Sequence, residues 1–279
     1  MRISTTILTA SLLMAVAGSV AGGASARTLP APAPEERAPI PVPIEDWSQA
    51  KIIAMGQAIY DQDTAAWRAT DALVAAISPD DLAKVRGWVV EPSGRDQRVR
   101  FLKAAGDGVE AGWDIIVAGE RAGPVTPVTT ALSESERAQF TARQTAAANP
   151  GPLRCSAKAN SVALRDPDSD GWLVWILTST TDANVVPVGG HYRYRISADG
   201  KTVLHRDQLS NGCLNMQKQQ APDGRPAAIV VTQIVSAGPV ETHVFLSLQN
   251  RIPIYVGAGD KLFAVEGARI RDASAALRR

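Results

Sequence analysis

The sequence predicts an α+β protein in which N-terminal helices pack on antiparallel sheet and the C-terminal half is mainly antiparallel β. Three observations carry that prediction. Apolar residues recur at three-, four- and seven-residue intervals from Trp47 to Ile77, and the period changes toward two from Val85 onward. Turn clusters such as Pro92-Ser93-Gly94, Gly106-Asp107-Gly108 and Ala198-Asp199-Gly200 then cut the alternating runs into strand lengths.

Residues 1–26 read as a secretory signal peptide. Arg2 is followed by a stretch without charge through Ala26, the apolar run Ile7 to Ala17 has the length of a signal core, and Ala24-Ser25-Ala26 gives a small-x-small cleavage site before Arg27. Gly18, Gly22 and Gly23 dilute the run, so a retained anchor fits less well. No later stretch approaches about 18 uninterrupted apolar residues, so no membrane span is expected after cleavage. Loss of Arg2 takes the formal charge from +1 to zero. That balance argues against wholesale binding of nucleic acid or of an anionic membrane. The expected location is periplasmic or secreted.

Residues 27–46 form a Pro-rich arm or linker, with Pro30, Pro32, Pro34, Pro39, Pro41 and Pro43 favouring extended backbone. It reads as a spacer, an edge-hugging arm or a tail left after cleavage. Residues 47–150 are expected to hold helices plus a β-meander. Ile52, Met55 and Ile59 predict a helix over 47–60. Asp63 is placed to cap a second helix that puts Trp67, Val74 and Ile77 on one face, and Ser78-Pro79-Asp80-Asp81 opens a third. Strands follow near 85–91, 97–103, 112–118 and 125–130. Ser133-Glu134-Ser135-Glu136 is a capping-box signature for a helix running to about Ala148, Ala-rich, polar and expected to be largely exposed.

Residues 151–279 are expected to be mainly β, with strands near 158–165, 171–179, 190–197, 201–207, 227–236, 240–248, 252–256 and 261–266 and almost no helix. Cys155 and Cys213 are an even pair in a chain bound for an oxidising compartment, which favours a disulfide over two buried thiols or a reactive one. The runs Ile59 to Leu73, Gly189 to Arg195, Glu241 to Leu248 and Pro253 to Val256 resemble a family of exported bacterial proteins of unknown function. The resemblance implies export and a shared fold, and brings no activity with it.

His191, Arg193 and Arg195 alternate with Tyr192, Tyr194 and Ile196, so on a strand they form a cationic stripe that suits a carboxylate or phosphate, or else the solvated outer face of a sheet. Glu241 and His243, two apart on the expected strand 240–248, form a candidate acid–base pair to which His191 is a possible partner, or else an exposed salt bridge. Asp166, Asp168 and Asp170 match the opening of a calcium loop, but the twelfth position is Leu177 and a strand follows, so an Asx-rich turn is the plainer reading. His191, His205 and His243 lack the short spacing of a zinc site, and no cofactor is expected. The six tryptophans fall in apolar phase, which favours core anchoring over a carbohydrate platform. The leading expectation is a non-catalytic envelope binding or scaffold module, with an anionic envelope component or a small ligand as partner. The alternative is a periplasmic hydrolase using Glu241, His243 and His191.

Overall fold

The computed structural model describes residues 43–221, 224 and 226–278. The expected signal peptide and residues 27–42 of the Pro-rich arm lie outside them. Two helices expected near 47–60 and 63–77 form one, α1 (Gln49–Ala76), capped by the Ser48 hydroxyl, which accepts from Lys51 N at 3.3 Å. Asp63 does not break it, because a single row, apolar apart from Gln62, runs unbroken through Ile59, Gln62, Ala66, Ala69 and Leu73 at three- and four-residue spacing and is buried throughout. Trp67 and Val74 lie off that row and are exposed, contrary to the face expected for them. Ser78, held extended by the proline after it, ends the helix and caps the single turn α2 (Pro79–Leu82).

The meander forms as expected: β1 (Val85–Ser93), β2 (Asp96–Ala105), β3 (Gly108–Ala118) and the short β4 (Arg121–Ala122) and β5 (Thr126–Pro127) make one antiparallel sheet. Helix α3 (Glu134–Ala148) carries the predicted capping box. It is not largely exposed: Phe140 packs among Val89 and Leu102 on one side, while Ala142 and Ala146 lie against Trp172, Val174 and Tyr194 on the other. Small alanines let the backbone approach a sheet, so a stripe of low hydrophobicity still buries.

A second sheet follows from β6 (Ala159–Arg165) and β7 (Trp172–Thr178). The short β8 (Val185–Pro187) stands apart from it, and β9 (Tyr192–Ile196) and β10 (Val203–Gln208) complete the order β10-β9-β7-β6. β11 (Asn215–Gln217) pairs with β8. Two buried glutamines occupy backbone groups at the free edges. Gln62 Nε2 donates to Ala163 O at 3.0 Å and its Oε1 accepts from Ala163 N at 2.9 Å, while Gln139 makes the same reciprocal pair with Val90 at 2.9 and 2.8 Å. A side-chain amide thus stands in for a missing strand on β6 and on β1.

The last sheet departs from expectation. β12 (Ile229–Thr232) and β13 (Ile254–Ala258) pair in parallel, and β14 (Lys261–Val265) and β15 (Ile270–Asp272) continue antiparallel. A parallel pair needs a crossover, and the residues expected as a strand over 240–248 supply it as helix α4 (Glu241–Asn250). Glu241 through Ser247 are all buried, so their apparent alternation separates no inner from outer face. α4 lies against α1 at Gly56, where a Cβ would come within 2.5 Å of Val244 Cβ. No described helix is long and apolar enough to cross a membrane.

Cys155 and Cys213 are disulfide-bonded, with Cα atoms 5.3 Å apart. The bridge packs against Gly190, whose φ of +82° and whose position, with a built Cβ only 2.3 Å from Cys155 Sγ, both require glycine.

Candidate functional site

The residues singled out in sequence go to two kinds of place. Arg193 and Glu241 meet in the interior, at 2% and 0% exposure. The Arg193 guanidinium donates to Asp207 Oδ2 through Nε at 2.9 Å and Nη2 at 2.7 Å, and to both Glu241 oxygens through Nη1 at 3.1 and 3.2 Å. The Trp47 ring lies 3.7 Å from its central carbon, and Trp175 Nε1 donates to Glu241 Oε1 at 2.8 Å. His205, largely exposed, meets Asp207 Oδ1 through Nε2 at 2.9 Å. The stripe expected to be solvated or ligand-facing is therefore enclosed: Arg193 is paired on two sides, and Arg195 binds Asp166 and Glu45.

Glu241 and His243 are not an exposed pair on a strand. They occupy the first turn of α4, and His243 Nδ1 accepts from Val240 N at 3.0 Å. His191 Nδ1 accepts from Thr178 N at 3.0 Å, and its Nε2 faces Pro187 O at 2.9 Å, which fixes the neutral tautomer protonated at Nε2. Burial pushes the His191 imidazole down to about 4, and burial with neighbouring His191 pushes His243 down to about 3. Asp166 accepts from Asp168 N at 3.0 Å and Ser169 Oγ at 2.8 Å as well as from Arg195, while Asp168 pairs with Lys51. The loop is an Asx turn tied to β9. Among the described residues no group of three His, Cys, Asp or Glu side chains is placed to hold a metal.

A different face carries unenclosed polar chemistry. Asp63, Trp67 and Thr70, spaced four and three apart on α1, line a cleft of about 660 Å3 together with Gln249 and Asn250 of α4, Asn160 of β6 and the hydroxyl-rich segment from Thr178 to Asp182. Trp67 is 55% exposed and carries the Arg68 guanidinium 4.1 Å from its ring centroid. Asp63 is half-buried and accepts from Gln249 Nε2 at 3.2 Å and Asn160 Nδ2 at 3.5 Å. Burial pushes its carboxyl up to about 6, against the pull of Arg143 and the two amides. These residues were missed in sequence because Asp63 was assigned to a helix cap and Trp67 to a core face. Reading α1 as unbroken marks Trp67 and Val74 as out of phase with the buried row, which is the signal that finds the cleft.

No known family model, curated protein or solved structure matches this chain. What the cleft can bind is set by its own chemistry. Its size lies within the roughly 300–1,000 Å3 of small-ligand pockets, and its polar groups converge from three elements.

The ionisations set a pH dependence. In the unfolded chain His191 and His243 take up protons below their ordinary 6.5, whereas the folded rings resist until about 4 and about 3. The unfolded state then binds more protons, so the stability owed to neutral imidazoles is complete above pH 6.5 and is lost as pH falls toward 4. Asp63 acts in the opposite sense: its pKa rises from 3.8 to about 6 on folding, which favours the fold on the acid side and is lost as pH rises through 6. Two imidazoles outweigh one carboxyl, so melting temperature should fall between pH 7 and pH 5, and more steeply in Asp63→Asn. A flat or rising profile would contradict the buried, neutral histidines.

Proposed function

We propose that the chain is an exported, non-catalytic binding module that holds a small polar ligand in the cleft between α1, the loop after β7 and α4. The observation that carries the reading is Trp67, a large exposed ring beside a carboxylate whose two oxygens are met by neutral amides from separate elements. Export is supported by the leader sequence and by a disulfide of the kind that persists outside a reducing interior. An anionic partner at His191, Arg193 and Arg195 loses its support, since Arg193 and Arg195 are paired with carboxylates of the chain itself. A hydrolase built on Glu241, His243 and His191 has little to work with. All three are buried and bonded internally, and none lines this cleft.

Amide chemical-shift mapping tests the reading, using glycine, acetate, inorganic phosphate and glucose as separate probes on the oxidised chain. At least one probe should shift amides clustered at Trp67, Asn160, Thr180 and Gln249. Shifts absent from the cleft for every probe, or gathered on another face, would remove it. In the same preparation, recovered from outside the cytoplasm, the mass should begin at Arg27 and be two hydrogens lighter than the reduced chain. An uncleaved, reduced product confined to the cytosol would remove the export part of the reading.

A further inference from the structure

Resting on that reading, we propose that the cleft's ligand is a saccharide, with Trp67 as the platform for a pyranose ring and Asp63, Asn160 and Gln249 as its hydroxyl partners. A pyranose has an apolar C–H face and a rim of hydroxyls, and each half of that chemistry has a counterpart here. The face of an indole carries partial negative charge and attracts polarised C–H groups. Trp67 supplies an indole at 55% exposure, one face of it covered by Arg68 at 4.1 Å. A carboxylate is an acceptor only, and an amide is both donor and acceptor, so a carboxylate between two amides matches neighbouring hydroxyls that each donate and accept. Asp63 between Asn160 and Gln249 is that arrangement, and the hydroxyls of Thr70, Thr180 and Thr181 extend it along the lining.

Other ligand classes fit less well. An anion would meet Asp63 and Asp182, with Lys218 as the basic counterweight in the lining, since Arg68 pairs with Glu120 at 3.2 Å. An apolar ligand would cover Asp63, Asn160 and Gln249 and leave the hydrogen-bonding capacity that their mutual bonds do not use cut off from water. A metal ion has no set of ligands among the described residues. A saccharide uses both the ring and the polar groups beside it.

The test titrates the oxidised chain with N,N′,N″-triacetylchitotriose and with cellotriose, followed by calorimetry and by amide shifts, and pellets it with purified cell-wall sacculi. A trisaccharide should bind with shifts at Trp67, Asn160 and Gln249. Trp67→Ala should weaken it about tenfold, the equivalent of roughly 1.4 kcal/mol. Trp67→Phe should recover part of the loss, and the melting temperature of both variants should stay near that of the parent because the ring is exposed. Sacculi that pellet the chain, and release it to trisaccharide, would place the ligand in wall glycan. Trisaccharide binding without pelleting would place it in free saccharide. If glycine, acetate or phosphate fills the cleft and no saccharide does, the ligand class proposed here falls and the binding module stands. If nothing fills it, both fall. Trisaccharide binding that is unchanged in Trp67→Ala would overturn the platform.

Discussion

Replacing Arg193 with alanine should lower stability by about 3–5 kcal/mol, because it leaves two buried carboxylates facing each other with no cation between them. Asp207 and Glu241 are 4% and 0% exposed, and Arg193 is the group that joins them. The loss exceeds the worth of the pair itself, since most of it is the penalty of stranding charge away from water. Arg195→Ala is the internal comparison. Its side chain reaches partial exposure, and the buried Asp166 keeps Ser169 and the Asp168 amide as partners, so a smaller loss of about 1–3 kcal/mol is expected. Denaturant unfolding of the two variants beside the parent reads the difference. An Arg193→Ala protein with parental stability and altered ligand binding would return Arg193 to the binding site.

The second large effect concerns the bridge. A Cys155→Ala, Cys213→Ala double variant should lose about 2–4 kcal/mol, since the cross-link closes a separation of 58 residues and the chain-entropy relation gives about 4 kcal/mol as its upper figure. Gly190 packs against Cys155 Sγ, so the segment around Cys155 also loses its seat on the turn before β9. Reductant should lower the melting temperature of the parent and leave that of the variant unchanged. Equal melting of parent and variant under oxidising conditions would show that the bridge adds nothing to the fold.

The α+β class, the capping box of α3, the meander and the bridge were legible because each rests on local chemistry: a serine three residues before a glutamate, a glycine turn between alternating runs, two cysteines. What was not legible depends on partners distant in sequence. Glu241 to Ser247 look alternating only if one face is assumed wet; with both faces enclosed, helix and strand give the same pattern, and the parallel pairing of β12 with β13 decides. Nothing local marks Gln62 and Gln139, which are buried because their amides bond the edges of β6 and β1. The cationic stripe was placed on the correct strand, but its solvent exposure was set by α4 and by Glu45, both remote from it. The cleft was hidden by one local error, the break assigned at Asp63, which moved Trp67 from an outer face to an inner one.

The ionisable groups divide into two sets: His191, Arg193, Glu241 and His243 are enclosed in the fold, while Asp63 lines the cleft. Carbon-13 and nitrogen-15 NMR titration of the oxidised chain tests that division most directly. The Asp63 carboxyl should titrate near pH 6 while the His191 and His243 rings remain neutral down to about pH 4. Histidine rings that protonate near 6.5, together with an Asp63 carboxyl that titrates near 3.8, would contradict it.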